Sequence, residues 1–190
     1  SLFRRWIAEG AEYQNHWAFE PIKRPPVPAS SSSINPIDAF IQARLRAHGL
    51  QPAAAATPIA LLRRIYLDLT GLPPAPSDLA VLSHWSDKTY EQVVDRLLAS
   101  PAFGERWARH WLDMARYADS NGFLGDGLRP NAYLYRDWVI RAFNSDLPFD
   151  QFTIQQIAGD LLPDRTREQL TATGFHRNAA LNTEAGVDKE

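Results

Sequence analysis

The chain has 190 residues, a formal net charge of −2, 45% hydrophobic residues, five histidines and no cysteine. That length supports one domain with a sizeable core, and the near-neutral charge offers no long-range attraction to nucleic acid or an anionic membrane surface. Without cysteine the sequence excludes disulfides, thiolate metal sites, a cysteine nucleophile and the C-x-x-C-H attachment of haem, and no covalently bound cofactor is expected within it.

No apolar run reaches the roughly 20 residues of a membrane-spanning helix. Ser1 in place of a methionine, and the polar ending NTEAGVDKE, read as the ends of a cut chain. Leu2 to Ala8 reads as the end of a helix with Gly10 near its C-cap. Residues 14–34 read as a Pro/Ser-rich linker: Pro21, Pro25, Pro26 and Pro28 favour extended backbone, and Ser30 to Ser33 form a polar run. Trp17 and Phe19 are expected to lie against a surface.

From Asn35 onward the pattern is helical. Asn35 caps a helix with Pro36 in its first turn, Ile37, Phe40, Ile41 and Leu45 on one face, and Gly49 at its end. Thr57 and Pro58 open a second, with Leu61, Leu62, Ile65 and Leu69 inward and Gly71 as the stop. Ser77 starts a short helix to Leu82. Tyr90, Val93, Val94, Leu97 and Leu98 then form an amphipathic stripe closed by Pro101. A longer helix is expected from about Gly104 to Ala118, with Trp107, Trp111, Met114 and Ala118 on its apolar side. After a glycine-rich loop, 119–130, come a helix from Ala132 to Phe143, one capped by Asp150 with Phe149 and Ile154 as a staple, and one opened by a Thr166–Gln169 capping box and running to about Phe175. The fold class is all-α, an irregular multi-helix domain over residues 35–190 with proline-rich turns.

Candidate chemistry concentrates in the second half. The loop DSNGFLGDG (119–127) offers Asp119 and Asn121 as oxygen donors, as a calcium loop does. Gly122 comes too early and Pro130 stands where the final glutamate belongs, which favours an ordinary turn-rich loop. His110 shares a helical stripe with Asp113 and Tyr117, an arrangement that fits an oriented imidazole or a plain surface pair. His176 lies in FHRN (175–178), where the chain leaves a helix, with Asn178, Asn182 and Glu184 close by in sequence. Arg106, Arg109, Arg116, Arg129, Arg136 and Arg141 alternate with Glu105, Asp113 and Asp137 as an ion-pair face would. Of the six tryptophans, 6, 107, 111 and 138 occupy core-like positions, leaving Trp17 and Trp85 for any sugar-stacking role.

Several motifs occur together and in order: HWAFEP (16–21), NPIDAFI (35–41), RRIYLDLTGLPP (63–74), VDRLLASP (94–101), GERWARHWLD (104–113), RYADS (116–120), YRDWVI (135–140) and GFHRN (174–178). In this order they resemble the helical domain that follows a cytochrome c module in large exported proteins of planctomycetes and their relatives. The resemblance covers about residues 16–190. It implies that residues 1–13 are the final helix of a preceding cytochrome c-like domain. It also implies that the domain continues past residue 190 to a C-x-x-C-H segment, and that c-type haem sits in flanking sequence. The implied partners are that flanking cytochrome c domain, a downstream domain of the same chain and a redox partner protein. The implied location is exported, periplasmic or at the cell surface.

Three functions compete on this basis. The first is a haem-associated module supporting electron transfer, with His176 or His110 as an axial ligand. The second is a structural or partner-binding scaffold. The third is an enzyme module oxidising a carbohydrate or small molecule. The candidate binding residues are Asp119, Asn121, Arg136, Asn178 and Glu184, chosen for their place in the motif-dense second half.

Overall fold

A computed structural model describes residues 1–29, 35–121 and 126–179. The chain divides into two compact units, Ser1–Ala55 and Ala56–Glu190. The all-α reading holds: among the described residues the β structure is an isolated bridge between Ser120 and Leu128.

In the first unit, α1 (Leu2–Ala8) buries none of its residues. Gly10 follows it at φ +104°, a conformation that favours glycine, and the Trp6 indole N–H donates to the Glu12 carbonyl at 3.1 Å. A single 3-10 turn, Trp17–Phe19, is capped by His16, whose Nδ1 accepts from the Ala18 N–H. The expectation that Trp17 and Phe19 lie against a surface fails: both are more than 80% exposed, and their ring contacts are with His16. The Asn35 cap forms as its sequence requires, Oδ1 accepting from the Ile37 N–H at 2.9 Å, and α2 (Pro36–Ala47) follows. This helix buries Ala39 and leaves Ile37, Phe40 and Ile41 exposed. The serines at 30–33 lie outside the described residues.

The second unit holds two hydrophobic clusters. The first is built from α3 (Pro58–Thr70) and α4 (Asp87–Leu98), where Leu62, Ile65, Tyr66, Val93 and Leu97 pack together. Burying a side chain such as Leu62 contributes about 1.5–3 kcal/mol. Thr57 stands at the N-cap of α3 but makes no side-chain cap bond, and Gly71 ends the helix at φ +73°. Between the two helices the short helix expected from Ser77 is a 3-10 segment, Pro76–His84. Asp78 accepts there from the Ala75 N–H and from Arg96, and Arg96 also donates to the Tyr66 hydroxyl at 2.7 Å. Burial pushes Asp78 up, but the Tyr66 hydroxyl, the Ala75 N–H and Arg96 outweigh it and hold the carboxyl below its ordinary value.

The second cluster centres on α5 (Pro101–Met114), α6 (Tyr133–Asn144), α7 (Phe149–Ala158) and α8 (Arg167–Ala172). Helix α5 starts three residues before the expected Gly104, because Ser100 caps it and Pro101 takes its first position rather than closing α4. It stops at Met114, since Arg116 turns to φ +58°. Its fully buried stripe is Gly104, Ala108 and Leu112; of the expected apolar side Trp111 packs against the core, whereas Met114 is 70% exposed and Trp107 is also exposed. Trp6 is also exposed; Trp138 is buried in the core, stacked on Phe152 with centroids 5.3 Å apart, and Trp111 is half-buried against the same cluster, edge-on to Phe152 at 4.9 Å. Small residues on α5 permit close approach of α6: the Gly104 N–H donates to Asn144 Oδ1 at 2.8 Å, and a Cβ at Gly104 would lie 2.5 Å from that amide.

Helix α7 begins at Phe149, so Asp150 falls inside its first turn instead of capping it. Gln156 is buried, its Oε1 accepting from the Trp111 indole at 2.8 Å and the Tyr135 hydroxyl at 2.6 Å. The Thr166–Gln169 capping box of α8 forms with both reciprocal bonds. Helix α8 ends at Ala172, and the chain continues as a 3-10 turn, Thr173–Asn178. Helix α5 touches α3 and α4 on one side of the sequence and α6 on the other, and so serves both clusters.

Candidate functional site

The cavity of interest lies where three segments meet: the strand-like return of the glycine-rich loop, the N-terminus of α6, and the 3-10 turn after α8. Its volume is about 670 Å³, and Asn121, Arg129, Asn131, Thr173, Arg177 and Asn178 supply its polar lining. Local sequence explains the convergence. The Ser120–Leu128 bridge, the Asn121 N–H to Gly127 bond and the Arg129 N–H to Asp119 bond (2.8 Å) close the loop on itself. Gly174 brings the last turn against α6, since a Cβ there would meet Tyr135 Cβ at 2.8 Å. The Arg129 guanidinium then donates to the Arg177 carbonyl at 2.6 Å, locking loop to turn. Asn178 is 7% exposed, and its amide nitrogen is buried without a hydrogen-bond partner among the described residues.

A second polar group stands on the loop's other flank. The Tyr117 hydroxyl donates to Asp119 at 2.5 Å, and Arg136 pairs with Asp137 at 2.9 Å. Burial, then the bond to Asp119, pushes the Tyr117 hydroxyl up to about 12. The hydrogen bond to Asp137 raises Arg136 above its ordinary value against the opposing effect of burial, and Asp119 adds to the rise. Asp119 and Arg136 are therefore electrostatic neighbours.

The two histidines make other contacts. His176 is exposed, and its Nε2 donates to the Ile157 carbonyl at 3.0 Å, because a carbonyl can only accept. His110 is exposed on α5 with its ring edge-on to Trp107 at 5.5 Å. The proposed stripe of His110 with Tyr117 does not exist, since α5 ends at Met114 and the Tyr117 hydroxyl turns to Asp119. Glu184, Asn182 and loop residues 122–125 lie outside the described residues. Among the described residues no group of three or more His, Asp or Glu side chains converges on a metal position.

Residue spacing alone had placed Arg129 on an ion-pair face, and had left Arg177 as a neighbour of His176. Of that face the structure pairs Arg136 with Asp137, and Arg141 with Glu168 at 2.7 Å. Arg129 instead spends its guanidinium on a backbone carbonyl beside the cavity. The available signal was its position, directly between a glycine-rich loop and a proline.

Residues 36–190 match the family model described as PSCyt2, protein of unknown function (DUF1549). The chain belongs to this family. No curated protein and no solved structure matches it. The name PSCyt2 points to association with planctomycete cytochrome c proteins, in agreement with the resemblance carried by the ordered motifs. The match opens at Pro36, the first residue of α2, and contains the cavity and both polar groups, while α1 and the Trp17–Phe19 turn precede it. The PSCyt2 region has no thiol to form a haem thioether, so its residues do not fit covalent attachment of c-type haem.

Proposed function

We propose that this PSCyt2 domain is the helical, non-attaching module of an exported cytochrome c-type protein, packing beside a haem domain of the same parent chain and supporting its electron transfer. The observation that carries this reading is α1. All seven of its residues are exposed, Leu2, Phe3, Trp6 and Ile7 among them. A helix of this length is marginal in water without a packing partner. Residues 1–13 are then the last helix of the preceding domain and residues 14–34 the linker. In this reading the haem comes from flanking sequence, and His110 is the more accessible axial candidate because His176 Nε2 is engaged by a carbonyl.

The test uses the full-length gene product beside the 190-residue chain. Hydrogen exchange at the amides of α1 should slow markedly in the full-length protein, which should also show a c-type absorption spectrum. Equal exchange in both, or a spectrum without haem, ends this reading. His110→Ala and His176→Ala read the axial role through the ligation-sensitive bands.

A scaffold without redox work is the second reading. The His176 ring bonds to the Ile157 carbonyl, while Asp119 and Arg136 bond to Tyr117 and Asp137, and this favours it. Unchanged haem potential and reduction rate after removal of this domain would select it.

A further inference from the structure

We propose that the cavity at the N-terminus of α6 binds a small hydroxylated carboxylate, a hydroxy acid or a sugar acid. This goes beyond haem association and does not depend on it. Four features converge on an anion flanked by hydroxyl groups.

The first is charge. Arg129 and Arg177 both line the cavity, and among the described lining residues none is acidic. The Arg129–Arg177 carbonyl bond engages one guanidinium nitrogen, and among the described residues no side chain takes the other donors of Arg129 or the Arg177 guanidinium. Guanidinium pairs suit a carboxylate because their parallel N–H groups match its two oxygens.

The second is the helix end itself. Ala132 caps α6 without a side-chain hydrogen bond, and no acidic residue stands in the first turn. Ala132, Leu134 and Tyr135 line the cavity, so the positive end of a 12-residue helix borders it. Asn35, Ser86, Ser100 and Thr166 supply capping oxygens to α2, α4, α5 and α8, whereas α3 and α7, like α6, have no side-chain cap bond; the feature here is that the uncapped end borders the cavity.

The third feature separates a ligand site from a merely basic hollow. Asn178 is more than nine-tenths buried in the lining, yet among the described residues its amide nitrogen has no partner. Leaving such a group unpaired is costly; the nitrogen is shielded as it stands, and a turn of the amide that brings it to a ligand acceptor removes that cost. Rotation about χ2 exchanges the amide nitrogen and oxygen, so the same side chain can offer a donor or an acceptor to the cavity. Asn121, Asn131, Thr171 and Thr173 add uncharged polar groups of the kind that bond hydroxyls.

The fourth is size and wall character. A volume of about 670 Å³ is within the range of small-molecule sites, and larger than a bare inorganic anion needs. Leu134 and Leu170 give one apolar side for the carbon face of such a ligand.

The experiment is a titration of the intact 190-residue chain with D-glucuronate, L-malate, D-glucose and inorganic sulfate, followed by calorimetry and by the side-chain amide resonance of Asn178. Saturable binding of glucuronate or malate with a Kd of about 1 mM or tighter is expected, with glucose at least about tenfold weaker. The ranking of glucuronate against malate distinguishes sugar acid from simple hydroxy acid. Arg177→Gln, on an exposed side chain, should weaken the tighter acid about tenfold or more with an unchanged melting temperature. Asn178→Asp, which sets a carboxylate against the ligand's own, should do the same. Failure of both acids to saturate, glucose or sulfate binding as tightly as either acid, or Arg177→Gln leaving affinity intact would each overturn the proposal.

Discussion

Helices α2 and α5 begin alike and end differently. Each is opened by a polar cap followed by proline, Asn35–Pro36 and Ser100–Pro101, and they run for 12 and 14 residues. Yet α5 buries Gly104, Ala108 and Leu112, while α2 buries Ala39 and leaves Ile37 67% exposed. The difference teaches that a large apolar stripe proves helicity but not burial. Small residues alone do not decide it, since α2 carries Ala39, Ala43 and Ala47 at the same spacing; α5 is in a core because α6 and α3 pack on it, and the Gly104–Asn144 bond is the closest such approach.

Substitutions on the two sides of this comparison should separate sharply. Trp138→Ala removes the ring stacked on Phe152 and should cost about 3–5 kcal/mol in denaturant unfolding. A cost below about 1 kcal/mol would mean that the cluster around α6 is not a core in the sense argued.

Alkali should act on the packed unit next. Burial raises the hydroxyls of Tyr66, Tyr117 and Tyr135 to about 12 each, from 10.0. Below pH 10 folded and unfolded chains both keep these protons, so the contribution to stability is fully present. Between about 10 and 12 the unfolded chain loses protons that the folded chain retains, so stability should fall through that window. A flat stability curve from pH 9.5 to 12 would contradict the buried placement.

Gly104→Ala should cost about 1–3 kcal/mol through the clash with Asn144. A wild-type melting temperature in that variant would show that the α5–α6 contact is looser than described. Thr166→Ala, which removes a bonded cap, should cost about 1 kcal/mol, and Thr57→Ala, whose side chain makes no cap bond, well under half of that. Equal losses would place the cap of α3 wrongly. Smallest of all, Ile37→Ser in α2 should change the stability of the 190-residue chain by no more than about 0.5 kcal/mol.

Most helix positions were legible because caps and prolines are local signals. Asn35, the Thr166–Gln169 box and Gly71 all act where the spacing placed them. The errors arose where a local signal admits two uses. Pro101 can close one helix or open the next, and Ser100 decides for the second. Asp150 resembles a cap, yet α7 starts one residue before it. The site was harder to read. Arg177 and Asn178 reach the cavity only through the close approach of Gly174 to Tyr135, a contact 39 positions apart in the chain that periodicity does not encode. His110 and His176 drew notice through residue type, but the side chains gathered at the cavity are arginines and amides.

Helix α5 is a party wall. One neighbour is the cluster of α3 and α4, the other that of α6 and α7, and neither can be dismantled without baring a face of the same helix to water. The two clusters are therefore expected to unfold together, so that Gly104→Ala speeds hydrogen exchange around Leu62 as well as around Val139. A nick within residues 101–114 would leave two halves, each lacking the surface against which it must refold.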